Sequence, residues 1–508
     1  MNNWPLLSLL VFTPWVGALI VFVLRRQLPT ALRHSLPLLF SLSTLVLGAL
    51  ALARFDPSVT AMQLTEKHRW IAALNVHYHL GLDGLSLILV LLTGIISPLV
   101  LFGTPRNIRC PAIHGSLFLL LQGSALGVFL ALDFFPWFVF WELSLVPAFF
   151  LIKFWGGPGA PRAAYQFVIY TIGGSAFLLL GFAALYAATG TFDFIELAAL
   201  ARSGVLATKL AAVGGFWPQA VFLGVLLGFA VKVPLFPCHA WLPPAYAEAP
   251  TGTSMFLTGV MSKMGVYGFL RILWPLFPAP LHAAAGPLLW LALGGVVLGA
   301  YAAMRQTDLK RMVAYSSVNH LSYCLLALFA VASAGPANPA ATTAALSGTL
   351  LQLFNHGLSA AALFFCVGIM ENRSGGKRGL ADFGGVRTSA PIFAGFCGVA
   401  LFSSLGLPGL NGFVGEFLIF RGVFGLTPSF AAIATLGLLV TALFLLTFWQ
   451  RVFHGPAAGA GIKFRDLDTR ELITLLPLLL LMFALGLVPQ LLTGLFNPLV
   501  TAWATTLP

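Results

Sequence analysis

Charge is what this 508-residue sequence has least of: 8% of its residues are Asp, Glu, Lys or Arg, against 59% hydrophobic, with a mean hydropathy of +0.94. Soluble domains carry about 25% charged residues, so a water-exposed globular domain is excluded and a polytopic helical membrane protein is implied. Acids are scarcer than bases, 15 against 27, for a net charge of +12. In a soluble chain that excess would point to nucleic acid. Here it sits in short connections between apolar runs, where it is a topology signal, so nucleic-acid binding is set aside. The five cysteines form no C-x-x-C pair, which argues against a disulfide framework or an iron–sulfur site. There is no G-x-G-x-x-G, no phosphate-binding loop and no polar block long enough for a nucleotide domain. The first apolar run has no basic stretch before it and Arg25-Arg26 after it, as a spanning helix does and a cleaved signal does not.

What is present is a series of apolar runs of about 20 residues, the length that crosses a bilayer. They predict helices near 4–24, 34–53, 82–104, 113–132, 134–153, 165–189, 217–247 (broken), 252–274, 281–304, 308–332, 343–371, 391–424 (broken), 428–452 and 471–494. The expected fold is therefore an all-α membrane protein of about fourteen spans. Connections after odd-numbered spans hold 18 of the lysines and arginines and those after even-numbered spans hold 7. The positive-inside rule then puts the odd connections in the cytoplasm and both termini on the other side. The stretch starting TFDFIELAALARSG at Thr191 reads as an amphipathic surface helix. His77 and His79 lack a third ligand and read as surface residues, not a metal site.

The few charges inside the spans are the functional signal, because an ionisable side chain at mid-membrane costs about 2.5 kcal/mol or more. Lys232 ends a long apolar run, and Pro234 and Pro237 follow it, so the helix must break and the carbonyls near Ala230 and Val233 are expected to lose their helical partners. Lys263 lies in the next span, where Ser254, Thr258 and Ser262 form a polar line running towards it and Tyr267. Glu142 is the only acid among the aromatics of span five and is expected to pair with Lys232; the bland alternative is a hydrogen bond between helices. Ser316, Asn319, His320 and Tyr323 form one stripe, and Thr349, Gln352, Asn355, His356 and Ser359 another. Interhelical hydrogen bonding would explain either stripe alone. Two histidine-bearing stripes beside buried lysines point instead to a hydrated route. The second broken span, FSSLGLPGLNGFVGEFLIF, carries Glu416 just past glycines 406, 409, 412 and 415. Two broken helices, each with a buried charge, are what a transporter made of two structural repeats would show.

WELSLVP, FAVKVPLFPCHAWLPPAYAEAPT, SKMGVYGFLR, DLKRMVAYSSVNHLSY, NHGLSAAALFF and GLPGLNGFVGEF together resemble the antiporter-like membrane subunits of respiratory complex I, in order over roughly residues 80–460. Glu416, the span count and the lack of a long C-terminal lateral helix resemble the M type; the L and N types, like the Mrp antiporters, usually have lysine in place of Glu416. Cys238, Ala240, Pro244 and Tyr246 depart from the family's usual residues beside the first break. The resemblance implies two inverted five-helix repeats with discontinuous helices 7 and 12. The implied organisation is 1–110, a three-helix N-terminal segment; 111–275, the first repeat; 276–455, the second repeat; and 456–508, helix 14. It further implies proton translocation through Glu142, Lys232, Lys263, His320, His356 and Glu416 in a bacterial inner membrane, alongside L-type and N-type neighbours. NADH, FMN, iron–sulfur clusters and quinone would belong to partner subunits, with no cofactor and no metal in this one. Competing readings are a cation/proton antiporter subunit, the membrane arm of a hydrogenase-type or carbon-uptake complex, and a passive scaffold. A scaffold gains nothing from buried charges. A free-standing enzyme lacks any nucleophile–base pair.

Overall fold

The structure, a computed structural model, describes residues 4–456 and 464–506. Among these, eleven helices are long and apolar enough to cross a membrane, or up to twelve when one bent pair is taken as a single span. In chain order the elements are α1 (Leu6–Leu24), α2 (Thr30–Arg54), α3 (Gly84–Gly103), α4 (Pro111–Leu130), α5 (Phe134–Trp155) and α6 (Ala160–Thr189). Then come α7a (Trp217–Lys232) and α7b (Leu242–Glu248), α8 (251–276), α9 (Pro278–Met304), α10 (Leu309–Ala334) and α11 (Pro339–Arg373). The chain ends with α12a (Pro391–Ser404), α12b (Asn411–Leu426), α13 (Pro428–Phe453), α14 (Thr469–Leu487) and α15 (Gln490–Thr506). Three of the fourteen spans expected are absent from the eleven: α7 and α12 are broken, and α8 is divided by π turns at Leu257–Met261 and Phe269–Leu273. The expected single helix 471–494 is corrected: Pro489 cannot donate a backbone N–H, so α14 stops at Leu487 and the C-terminal segment holds two helices. Lys463, one of the bases assigned to an odd connection, lies outside the described residues.

Burial follows the polar stripes. The helices that carry the polar stripes, α10 and α11, are also the most enclosed, with 89% and 100% of their central windows buried, whereas α2 and α13 turn most of their surface outward. A membrane helix can carry Ser, Asn, Gln and His only where other helices satisfy them, so α10 and α11 form the centre. α11 packs on α12b and α10, and α10 packs along α9.

Alternate connections gather at opposite ends. At one end, connections after even-numbered spans meet in a polar cluster. The antiparallel hairpin β1 (Gln63–Ile71) and β2 (Val76–Leu82) reaches the surface helix Phe194–Arg202 expected from the sequence. Asp193 caps that helix through the N–H groups of Ile195 and Glu196, and its other carboxylate oxygen lies 2.8 Å from both Lys67 Nζ and His79 Nδ1. His77 donates its backbone N–H to Asp133. His79 is thus held by a carboxylate. At the other end, connections after spans 3, 5, 7, 11 and 13 share one cavity.

Burial pushes the Asp193 carboxyl up, but the contacts with His79 and Lys67 and the capping N–H overcome it and hold the group well below the usual carboxylate range. A depressed carboxylate stabilises fully above its unfolded value and loses that contribution as pH falls through the folded one. Asp193→Ala should cost about 1.5–3 kcal/mol, the range for hydrogen bonds to charged groups. In thermal melts of the solubilised protein, the gap to wild type should be full at neutral pH and narrow below about pH 4; an unchanged melt at neutral pH would contradict this account.

Candidate functional site

Pro234 and Pro237 end α7a at Lys232, but the break does not leave Ala230 orphaned. Its carbonyl accepts the Leu235 N–H at 2.9 Å, and the Val231 carbonyl accepts the Trp241 indole N–H at 2.9 Å. The expectation of a free carbonyl at Ala230 is therefore corrected: a wider turn and one tryptophan take over the helical bonds. Lys232 is buried, and its Nζ has no hydrogen-bond partner among the described residues. It sits 4.8 Å from the centroid of the Trp141 ring, whose indole donates to Ser175 Oγ at 3.0 Å and which stacks on Trp137. A cation over an indole face is attracted by about 0.5–2 kcal/mol.

Glu142, next to Trp141, is not within 4.0 Å of Lys232. It is half-buried in a groove with Phe138, Val146, Phe149 and Tyr165, and its Oε1 has no partner. The expected ion pair is therefore open.

Lys263 is fully buried, and its environment follows from a local irregularity in α8. Residues Leu257–Met261 take the wider π turn, in which the Ser262 N–H reaches the Leu257 carbonyl at 3.0 Å. The Thr258 carbonyl is then available to Lys263 Nζ at 2.5 Å and to the Ser262 hydroxyl at 2.8 Å. Lys263 Nζ also lies 3.2 Å from Ser262 Oγ and 2.7 Å from His356 Nδ1. An ammonium only donates, so beside a charged Lys263 the His356 Nδ1 accepts and its ring proton is on Nε2. The His356 and His320 rings are 5.4 Å apart. His320 Nδ1 in turn lies 3.0 Å from Glu416 Oε1, which accepts from Gln352 Nε2 at 3.3 Å. Lys263, His356, His320 and Glu416 thus form one chain of contacts through the core, while Lys232 and Glu142 stand apart from it. Both ring nitrogens of His320 and the Nε2 of His356 have no hydrogen-bond partner among the described residues, so the 3.0 Å approach of His320 Nδ1 to Glu416 Oε1 is an ion-pair contact without hydrogen-bond geometry. Buried polar atoms of that kind are normally met by water.

The stripes divide. Asn319 Nδ2 bonds the Val296 carbonyl and its Oδ1 accepts from Thr441, while Asn355 and Asn411 bond each other's backbone carbonyls. Those residues join helices; the histidines and Gln352 face charge. Tyr267 does not extend the line towards Lys263 but belongs to a separate buried group, donating to the Phe129 carbonyl and accepting from Arg271, which pairs with Asp83 at 2.5 Å.

Sequence reasoning missed five buried charges: Asp83, Asp133, Asp193, Arg271 and Lys310. Asp83 and Arg271 fall at the ends of the expected spans 82–104 and 252–274 and drew no reading of their own. Lys310 was counted as a connection residue, yet it is buried and paired with Glu371 at 2.6 Å. A signal existed: Lys310 is seven residues before Ser317 and shares its helix face, whereas neighbouring Arg311 is exposed.

Glu416 is set by its glycines. Gly406 and Gly409 have φ of +79° and +94°, so the chain leaves α12a through conformations that side chains disfavour. A Cβ on Gly406 would lie 3.0 Å from Glu416 Oε2, so the carboxylate rests against the break. Gly412 and Gly415 let α12b approach Ser403 and Gln352.

The architecture is that of a helical membrane protein with discontinuous spans built around buried ionisable residues. The family described as NADH:quinone oxidoreductase/Mrp antiporter, TM matches residues 131–443. NADH-quinone oxidoreductase subunit M of Mycobacterium tuberculosis is 35% identical over 100% of this chain and 95% of that protein. F(420)H(2) dehydrogenase subunit M of Methanosarcina mazei is 37% identical over 96% and 95%. Among solved structures, a chain of respiratory complex I from Thermus thermophilus with bound NADH superimposes with a TM-score of 0.84 at 30% identity, over 99% of this chain and 100% of that one. The chain belongs to this family of membrane subunits.

A side chain at Gly412 would collide with the Ser403 carbonyl oxygen, while one at exposed Gly395 on α12a meets nothing within 4 Å. Gly412→Ala should therefore lower the amount of folded protein recovered from membranes, and Gly395→Ala should leave it unchanged or raise it, since alanine favours helix by about 1 kcal/mol. Equal yields for the two variants would count against the packing role of Gly412.

Proposed function

We propose that this chain is a proton-translocating membrane-arm subunit of an NADH-quinone oxidoreductase of the complex I type. The observation carrying this reading is the close succession Lys263–His356–His320–Glu416 across a membrane-buried core, in a chain whose full-length relatives include subunit M of that enzyme. Redox groups belong to partner subunits: the sequence has neither a nucleotide loop nor spaced cysteine ligands. The chain sits in a bacterial inner membrane beside L-type and N-type neighbours, with both termini on the non-cytoplasmic side.

Two repeats, 111–275 and 276–455, account for the paired breaks. α6 packs on α7a as α11 packs on α12b, which supports that division. Residues 1–110 and 456–508 then flank the repeats.

In this reading Glu142 and Lys232 are the switch. Glu142 approaching Lys232 holds a proton on the lysine, and its withdrawal releases that proton towards Lys263 and the histidines. An ion pair closed at about 4 Å is worth roughly 4 kcal/mol at an effective dielectric near 20. Moving one charge across about 150–200 mV costs about 3.5–4.6 kcal/mol, so one pair opening and closing is of the right size. The open Glu142–Lys232 geometry supports the released state. A second reading, in which the electron donor is not NADH, is favoured by the similarity to the F(420)H(2) dehydrogenase subunit.

The test is proton pumping by the assembled complex in proteoliposomes, with electron transfer followed in parallel. Lys232→Ala, Lys263→Ala and Glu142→Ala should each cut pumping at least severalfold while the complex stays intact, and Glu416→Lys should retain more activity than Glu416→Gln. Unchanged pumping in Lys232→Ala and Lys263→Ala would refute the proposal. Pumping supported by reduced F420 and not by NADH would select the second reading.

A further inference from the structure

The end of the molecule that carries the connections after odd-numbered spans encloses a cavity of about 730 Å³. Its mouth is lined by exposed Arg106 and Asn107, and its floor by Thr251, Met255, Lys310 and Glu371. The floor points at the contact chain already described. Thr253 is buried with a partnerless hydroxyl, Ser254 follows it, and one turn further Thr258 Oγ1 meets Ser317 Oγ at 3.0 Å. The Thr258 carbonyl is the group that receives Lys263 Nζ. Thr251 and Lys263 are twelve residues apart on α8, about 18 Å at 1.5 Å per residue.

Glu371 is shared between two cations. Its Oε2 is 2.6 Å from Lys310 Nζ and its Oε1 is 3.7 Å from Arg378 Nη1. Arg378 is a hub: it pairs with Glu248 at 2.5 Å and Asp308 at 2.6 Å, and donates to the Ala247 carbonyl. Glu248 ends α7b, the second half of the broken helix that carries Lys232, and its other oxygen accepts the Gly159 N–H from the start of α6. Lys310 also donates to the Ala249 carbonyl, just past α7b.

We propose that this cavity is an aqueous vestibule serving the proton route and that Glu371 is its gate, closing it when paired with Lys310 and opening it when it moves onto Arg378. The inference rests on the proton-transfer reading above. When Glu371 leaves, the Lys310 ammonium can give one proton to water beside Thr253 and regain one from vestibule water, so the lysine ends each passage as the ammonium it began as. Because Arg378 grips Glu248, a shift of α7b changes how well Arg378 competes for Glu371. The break beside Lys232 and the gate are thereby mechanically joined.

The test is thiol labelling of the assembled complex in vesicles of each orientation, in a Cys110→Ser background, with a small membrane-impermeant methanethiosulfonate cation. Thr251→Cys should label only from the face bearing the vestibule, and Thr253→Cys slowly from that same face. Combining Thr253→Cys with Lys310→Met and Glu371→Gln, which removes both charges and leaves neither unpaired, should speed its labelling severalfold. The Lys310→Met/Glu371→Gln protein, without the added cysteine, should keep electron transfer and lose at least half its pumping. No labelling of Thr251→Cys from that face overturns the vestibule. An unaltered Thr253→Cys rate, or normal pumping, overturns the gate. If the double variant does not assemble, Arg378→Gln decides in its place: it deprives Glu371 of its second site and should slow Thr253→Cys labelling, and an unchanged or faster rate overturns the gate. These labelling readouts stand independently of Lys232→Ala, so failure of the proton-transfer reading and failure of the gate are separable.

Discussion

A charge in hydrocarbon must find a partner, and that constraint orders this molecule. Each buried ion costs several kcal/mol when unpaired, and the chain answers it differently at each level. Near the two membrane surfaces the answer is ion pairing: Asp83 with Arg271 at one end, and Lys310, Arg378, Glu371, Glu248 and Asp308 at the other. In the middle it is partial. Lys263 has a carbonyl, a hydroxyl and an imidazole, and Glu416 has an imidazole and an amide. Lys232 has an aromatic face alone. Paired charges fasten helices for as long as the partner stays, and in the proposed gate Lys310 exchanges a proton only after Glu371 has left it. Partly paired charges can exchange protons directly, because the alternative protonation state is not far higher in energy.

Backbone irregularity appears where those partial partners are made. In a regular α-helix each interior carbonyl already accepts a backbone N–H. The π turn in α8 frees the Thr258 carbonyl for Lys263, the proline break after Lys232 requires Trp241 to serve the Val231 carbonyl, and the glycine-lined break in α12 gives Glu416 room against Gly406. Irregular backbone is tolerated at membrane depth only inside protein or along water. Here it is inside protein: α11, against which α12b packs, is wholly enclosed, and the α8 residues Leu257–Met261 are buried.

Much of this was legible in the sequence because hydropathy in a membrane protein is decided one residue at a time. The helix positions, the two breaks and the surface helix after Thr191 follow from run length, proline and glycine placement and an Asp cap. His320 and His356 were read as lining one hydrated route from two stripes, and their rings lie 5.4 Å apart, but the stripes could not say which polar residues join helices and which face charge; that depends on which helix stands opposite, as Asn319 against Val296 and Asn355 against Asn411 make plain. Lys310 and Arg271 were misread for a related reason. A base at a span end is usually solvated, and only a partner far along the chain, Glu371 or Asp83, shows that it is buried. The Pro489 stop was in the sequence and was overridden by the apolar run through it.

The uneven spacing of partners also bears on where control resides. From Lys263 to Glu416 each group is within direct contact or one ring spacing of the next, so in the proposed reading a proton crosses the second repeat without any ion being moved through hydrocarbon. Between Lys232 and Lys263 the structure offers no such contact, and Glu142 stands off. A chain that is continuous on one side and interrupted on the other has its barrier at the interruption. The interruption lies at the α7 break, whose α7b end is gripped by the Glu248–Arg378 pair. Motion of that one short helix would therefore act on both the switch and the ion-pair network at the membrane surface. Coupling of this kind needs a bistable element that both sites bias, and α7b, between a broken helix and a shared arginine, is the element placed to provide it.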